Sequence, residues 1–335
     1  MKKSLIALAL AGAFASAAQA QSVELYGIVD MGFVQERGSP AGNTSKLTSG
    51  AQSGTRLGFK GTEDLGNNMK ALFVLETGIS ADQGGFNQNN TAFARQSFVG
   101  LQNDLGTLTM GRQYTPYFLT MLVGDPFAAG MAGAAQNMLM PASNIRMDNA
   151  VKYTSPVFAG GFSAEAAYGF GEVAGGIGKN QQLGAFVGYS SEPVNVRLGY
   201  LKRNNSTNTD DATNYMLAAN WDVKVAKLFA AVTDNNETFI GRFKSQDYLI
   251  GAQVPFNKHT FLASYIYKDG GTGTSGNANQ LALGYTYTLS KRTNLYAAWG
   301  RINNSTGIDL RVGNNSEIGN AGTDKAINLG IRHIF

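Results

Sequence analysis

Of 335 residues, 15% are charged, 43% are hydrophobic, 42 are Gly and none is Cys. Zero Cys excludes disulfide scaffolds, cysteine zinc sites, iron–sulfur clusters and thiol nucleophiles, and two His (His259 and His333) make a poor metal centre. A mean hydropathy of −0.14 is too low for a bundle of membrane helices, and Gly at one residue in eight disfavours helix generally, so the composition points to an all-β chain with no cofactor and no metal.

The N-terminus pairs a basic start, Lys2-Lys3, with an apolar stretch from Leu5 to Ala18. Ala18-Gln19-Ala20 then fits the small-x-small cleavage rule, so residues 1–20 read as a Sec-type signal peptide and 21–335 as the exported domain. A membrane anchor is the alternative, but the apolar core is short and gives way at once to strand-like alternation. Without Lys2 and Lys3 the 27 basic residues become 25 against 23 acidic, a net charge of +2 with no polybasic run, so nucleic acid is not an expected partner. After residue 20 no unbroken apolar stretch is long enough for a membrane helix. A soluble secreted protein, a periplasmic protein or a β-barrel remains.

A two-residue period dominates the exported part of the chain. Leu281, Leu283, Tyr285, Tyr287 and Leu289 alternate with Gln280, Ala282, Gly284, Thr286 and Thr288; Val194 to Tyr200, Phe162 to Phe170, Tyr215 to Trp221 and Tyr248 to Val254 behave alike. A soluble sandwich alternates too. Here one face is small and wet, while the apolar face carries aromatics near strand ends (Tyr168, Phe170, Trp221, Tyr265, Tyr267), as a lumen and an interfacial girdle require.

Short connections are predicted at Glu63–Asn67, Asn103–Gly106, Pro156–Gly160, Glu192–Pro193, Asp222–Val225, Pro255–Lys258 and Ser290–Arg292. Longer ones alternate with them near 35–52, 81–91, 115–147, 171–180, 204–211, 234–244, 269–277 and 303–323. Seven short and eight long connections give a closed sixteen-stranded antiparallel transmembrane β-barrel, whose even count lets first and last strands pair. Ile327, Leu329, Ile331, His333 and Phe335 end the chain on an outward aromatic; one more edge strand is the plain alternative.

Several segments carry a resemblance: SVELYGIVD (22–30), RLGFKGTEDLG (56–66), ARQSFVGL (94–101), GTLTMGRQ (106–113), NAVKYTSP (149–156) and GIRHIF (330–335). With these the chain resembles the general diffusion porins of Gram-negative bacteria, in their beta-proteobacterial branch, over essentially its whole exported length. The resemblance implies a homotrimer of outer-membrane barrels set among outer-membrane lipid and lipopolysaccharide. It also implies a third loop folded into each lumen, and a terminal Phe335 read by the barrel assembly machinery. The longest predicted connection is indeed the third, about 115–147, and its Tyr117, Phe118, Leu119, Met121, Leu122, Val123 and Phe127 need cover that a surface loop would lack.

The same resemblance puts Arg56, Lys60 and Arg95 on the wall facing that loop, with Arg112 before it, Arg146 and Lys152 after it, and Asp125 as its early acid. Alternation agrees for Arg56 and Lys60, because Leu57 and Phe59 face out; it leaves Arg95 undecided. Glu24, Asp30 and Glu76 are predicted as lumen acids. A basic cluster facing one or two acids would make a transverse field and favour small anions. Alternatively, the inward Arg residues merely neutralise Glu24, Glu76 or Glu165.

The expected function is passive diffusion of ions and small hydrophilic solutes with anion preference; a solute-specific channel is the second reading and an outer-membrane enzyme or adhesin a distant third. Residues 271–276 match a GxGxxG string, but no helix follows to bind a pyrophosphate, so it reads as a loop. Two isolated His at strand ends offer no catalytic set.

Overall fold

The computed structural model describes residues 21–39, 42–88, 91–237, 244–270, 276–313 and 322–335. The predicted signal peptide and most of the GxGxxG string lie outside the described residues. The strands are β1 (Gln21–Arg37), β2 (Thr44–Ser49), β3 (Arg56–Gly66), β4 (Met69–Ser80), β5 (Gly85–Phe86), β6 (Gln96–Asn103), β7 (Gly106–Tyr114), β8 (Arg146–Thr154) and β9 (Phe162–Gly169). They continue as β10 (Gln182–Ser191), β11 (Val194–Asn204), β12 (Asp211–Asp222), β13 (Lys227–Asn236), β14 (Lys244–Phe256), β15 (His259–Asp269), β16 (Ala278–Thr288), β17 (Thr293–Asn304) and β18 (Thr323–Ile334). Between β7 and β8 lie helix α1 (Pro116–Gly124), the single turn α2 (Gln136–Leu139) and a 3-10 turn (Ala142–Asn144).

Each wall strand pairs antiparallel with its neighbours, and β1 pairs with β18 from Ile28↔Ile334 to Arg37↔Lys325. Setting aside the short β2 and β5, which sit inside long connections, sixteen strands close the wall. Closure matters because an unpaired edge in lipid would strand a row of N–H and C=O groups. The short β2 solves the same problem locally: β3 leaves β1 at Arg56↔Ile28, and β2 covers the next stretch of that edge, from Ser49↔Met31 to Thr44↔Glu36. The first long connection is therefore partly strand, because β1 would otherwise stand bare above Ile28.

Burial inverts the soluble pattern. On β12, Tyr215, Leu217 and Trp221 are 50%, 51% and 53% exposed, whereas Asn214, Met216 and Ala218 are fully buried. Most large apolar side chains thus face outward, while polar and small ones, with some apolar ones such as Met216 and Leu249, face in, the arrangement that lipid outside selects. No helix among the described residues is long and apolar enough to cross a membrane; the strands do so. The seven predicted short turns all join wall strands at one rim, on the side of Gln21 and Phe335, and the eight long connections leave the wall strands at the other. Phe335 secures the seam: its N–H donates to the Gly27 carbonyl and its carbonyl accepts from Gly27 N–H, each at 3.1 Å.

Candidate pore constriction

The segment between β7 and β8 lies inside the barrel. Thr115 caps α1 by accepting from Phe118 N–H (3.1 Å), and Pro116 occupies the first turn, where its missing N–H costs nothing. The helix is apolar almost all round, so it needs a wall on most sides; Tyr117, Phe118, Met121 and Val123 are buried. A Cβ on Gly199 of β11 would meet Thr120 Oγ1 at 2.5 Å, one on Gly251 of β14 would meet Pro126 at 2.7 Å, and one on Gly300 of β17 would run into the Ala132 carbonyl. One short stretch of chain can touch strands from β11 to β17 only from the concave side, and those glycines form the bed it rests in.

Inward polar side chains of the wall hold the loop backbone. Asn220 Nδ2 donates to Val123 O (2.8 Å), Gln280 Nε2 to Gly133 O (3.2 Å) and Arg197 Nη1 to Leu119 O (3.3 Å), while Tyr117 OH donates to Asn235 Oδ1 (3.0 Å). At its far end Met131 N–H reaches Ala51 O (2.6 Å), just after β2. The loop thus lines the β10–β18 side and leaves the β3–β8 side mostly uncovered, with Arg56 and Arg146 partly exposed there and Arg95 buried.

That open side carries a basic cluster. Arg56 begins β3, Arg95 immediately precedes β6, Arg146 begins β8 and Tyr114 ends β7, so all four sit where wall strands give way to long connections. Arg95 Nε donates to Glu76 Oε1 (2.8 Å) and its Nη2 to Tyr114 OH (2.7 Å). Arg146 Nε donates to the Arg95 carbonyl (2.7 Å), and its guanidinium lies 4.9 Å from the centre of the Tyr114 ring. Arg56 Nε donates to Gly54 O (2.9 Å), and its Nη1 is 4.0 Å from Glu76 Oε2. Two guanidinium groups, of Arg95 and Arg56, approach one carboxylate, itself 2% exposed and also accepting from Tyr26 OH (3.1 Å), and Arg146 adds a third beside Arg95 and Tyr114. The local sum is three positive charges and one negative, a net of +2.

Other predicted residues lie apart from the cluster. Lys60 is inward but nearer the short-turn rim, where it pairs with Glu24 at 3.1 Å, both half exposed. Lys152 is matched by Glu165 at 3.3 Å. Asp30 is fully buried rather than bathed by the lumen: it accepts from Gln52 N–H (2.8 Å) and Tyr296 OH (2.6 Å), and so ties down the connection leading to β3.

Two expected constriction residues are placed elsewhere. Arg112 lies on the outer face with Met110, because Thr109 and Gln113 on either side are buried inward; there it donates to Ala94 O (2.6 Å) and forms an ion pair with Asp148. Asp125 is 2% exposed and accepts from the N–H groups of Phe127, Ala129 and Ala135 at 2.8, 2.8 and 3.0 Å. It staples its own loop, and burial pushes its carboxyl up to about 6 despite those three donors. The loop side chains left accessible to water, among them Leu119, Leu122, Ala128, Gln136 and Ser143, are all uncharged. The arrangement is therefore one-sided, cations on the wall opposite a neutral loop, without the expected acid across the gap. Tyr114 is the member that sequence reading missed; its place at the root of the loop, two residues after Arg112, was the available signal.

A closed barrel with an apolar exterior, a wet interior and an inserted loop defines an outer-membrane channel protein. Residues 7–307 match the model of the Gram-negative porin family, and the chain belongs to that family. It is 32% identical over 359 residues to outer membrane porin protein 32 of Delftia acidovorans, and 32% identical over 399 residues to an outer membrane porin protein of Bordetella pertussis, each alignment covering 100% of both chains. Among solved structures, an anion-selective porin from Comamonas acidovorans superposes with a TM-score of 0.84 at 28% identity, covering 94% of this chain and 100% of that one. The protein is an outer-membrane porin of a Gram-negative bacterium.

Proposed function

We propose that this porin is a passive diffusion channel for ions and small hydrophilic solutes, with a preference for anions. The observation that carries the reading is the charge imbalance at the constriction: Arg56, Arg95 and Arg146 against the single, enclosed Glu76, with no loop carboxylate facing them. A cation crossing there meets a positive wall in a narrowed, partly desolvated passage, while an anion is stabilised by the same wall. The anion selectivity of the structurally similar Comamonas porin supports it. Export by a cleaved leader ending at Ala20, assembly through recognition of Phe335, and a homotrimer seated among lipopolysaccharide complete the proposal.

Purified protein in a planar bilayer under a KCl gradient tests it. The expected outcome is a current linear in voltage, rising with salt, with a reversal potential displaced toward that of chloride. A cation-selective reversal potential overturns the preference, and block by one solute at low concentration favours the solute-specific channel instead.

A further inference from the structure

A second connection packs against the constriction loop at the long-loop rim. Among the described residues of the last connection, Val312 is fully buried and Ile308 is 6% exposed. Val312 N–H donates to Asp324 Oδ2 (2.6 Å), while Asn304 Nδ2 donates to the Leu310 carbonyl (2.9 Å) and Asn304 Oδ1 accepts from Leu310 N–H (3.1 Å). This segment and the far part of the constriction loop line one cavity of about 800 Å³, within the range of about 300–1,000 Å³ usual for small-molecule sites. Glu36, on its wall, sits further toward the long-loop rim of β1 than Ile28, the partner of Arg56, so a solute entering there meets the cavity before Arg56.

The cavity is balanced in charge where the constriction is not. Its lining carries Lys46, Lys268 and Arg311 against Glu36, Glu237 and Asp309. Most of these are matched: Lys46 pairs with Glu36 at 2.8 Å, Lys268 with Asp247 at 2.7 Å and Arg311 with Asp309 at 2.9 Å. Glu237 is the half-satisfied one. It is 3% exposed, and its Oε1 accepts from Asn144 Nδ2 (2.7 Å) and Arg203 Nη2 (3.4 Å), but its buried Oε2 has no hydrogen-bond partner among the described residues. A carboxylate oxygen enclosed in this way calls for a donor, and an ammonium makes the strongest one. The surface beside it is apolar. Leu139, whose carbonyl accepts from Asn235 Nδ2 (3.5 Å), lines the cavity with Met131, Met138 and Met140, thioethers that adapt to varied apolar shapes. Lys46, still 31% exposed, lies on β2, several strands round the wall from Glu237 at the end of β13. At about 4.8 Å per strand, that separation is too wide for the two charges of a single amino acid. We propose that this cavity is a loading site for short apolar peptides, with the N-terminal ammonium on Glu237 Oε2, the side chains on the methionines and the C-terminal carboxylate facing Lys46. The site deepens the diffusion reading by naming one class of solute, and it rests on solutes entering by the long-loop mouth.

Single channels in a planar bilayer are exposed to the tripeptide Ala-Leu-Ala, to its N-acetylated form, to its C-terminal amide and to triglycine, and current interruptions are counted. Ala-Leu-Ala is expected to interrupt the current saturably at millimolar concentration, at least fivefold more tightly than the acetylated peptide or triglycine. Glu237→Gln should erase the difference between the free and acetylated peptides, whereas a mere shift of the loop would weaken both alike. Should Glu237→Gln fail to fold, Lys46→Gln is expected to erase the difference between the free acid and the amide. Free and acetylated peptides that act alike on the wild type overturn the site, and so does a Glu237→Gln channel that keeps the full difference. Triglycine that binds as well as Ala-Leu-Ala also overturns it. The KCl reversal potential is read on the same channels, so the anion preference and the peptide site can each fail alone.

Discussion

Replacing Arg56 by Ser isolates the electrostatic part of the channel. Arg56 contacts Glu76 only at 4.0 Å, so its removal leaves the 2.8 Å Arg95–Glu76 pair intact and lowers the local charge from +2 to +1. A unit charge about 5 Å from the ion path contributes about 0.8 kcal/mol in bulk-like water and about 3 kcal/mol at an effective dielectric near 20. Anions lose this stabilisation and cations shed the matching penalty, so at the low end the permeability ratio moves by about 1.6 kcal/mol, roughly tenfold. Counterions at 0.1 M, with a Debye length of about 10 Å, trim that to about fivefold. The assay is the reversal potential of Arg56→Ser under a KCl gradient, with conductance in symmetric salt as a check on the bore. Adding Arg146→Ser should bring the ratio close to the bulk mobility ratio. An unchanged reversal potential in both variants, with folded channels, would show that these arginines neutralise their surroundings without steering ions.

Asp125→Asn leaves at least one of three loop N–H groups with a poorer acceptor, at a cost of about 1–3 kcal/mol, and should make the loop cleavable by protease in channels that still insert. In the wild type the Asp125 carboxyl sits near 6 against an ordinary 3.8. The folded state therefore binds more protons than the unfolded chain between about pH 4 and 6, so stability rises as pH falls through that window and is level above about pH 7. Denaturant midpoints should show this slope in the wild type and lose it in Asp125→Asn; an equal slope in both would assign it to another group. Gly199→Val drives a side chain into Thr120 and should lift α1 from its bed, costing about 1–3 kcal/mol and changing single-channel conductance; unaltered conductance would refute the tight seating of the helix. Deleting Phe335 removes both hydrogen bonds to Gly27 at the seam, so the yield of heat-modifiable folded barrel should fall; an undiminished yield would mean the seam closes without them.

The wall was readable from the chain because its signal has a strict period: Leu281 and Leu283 face out and Gln280 and Ala282 face in, as alternation requires, and the seven short turns fall where their polar residues cluster. Arg56 was readable for the same reason. The period fails wherever the backbone departs from it. Arg95 stands just before β6, so its inward course follows from contacts with Glu76 and Tyr114 that no spacing encodes; Arg112 keeps the period, outward with Met110, and its expected place beside the loop rested on the resemblance. Asp125 was misplaced because loop residues have no face until the loop has folded, and its carboxylate then found its nearest donors in its own backbone. Both short strands, β2 and β5, sit within polar stretches whose strand character depends on an available edge rather than on their own composition.

Because the inserted loop offers only neutral groups to the water while the arginines of the constriction stand on or beside wall strands, aperture and polarity reside in separate parts of the chain. Trimming Leu119 or Leu122 would widen the passage with its sign intact, and recharging the arginine positions would reverse the sign at the same gauge. Evolution, or an engineer, can tune this sieve along two independent axes.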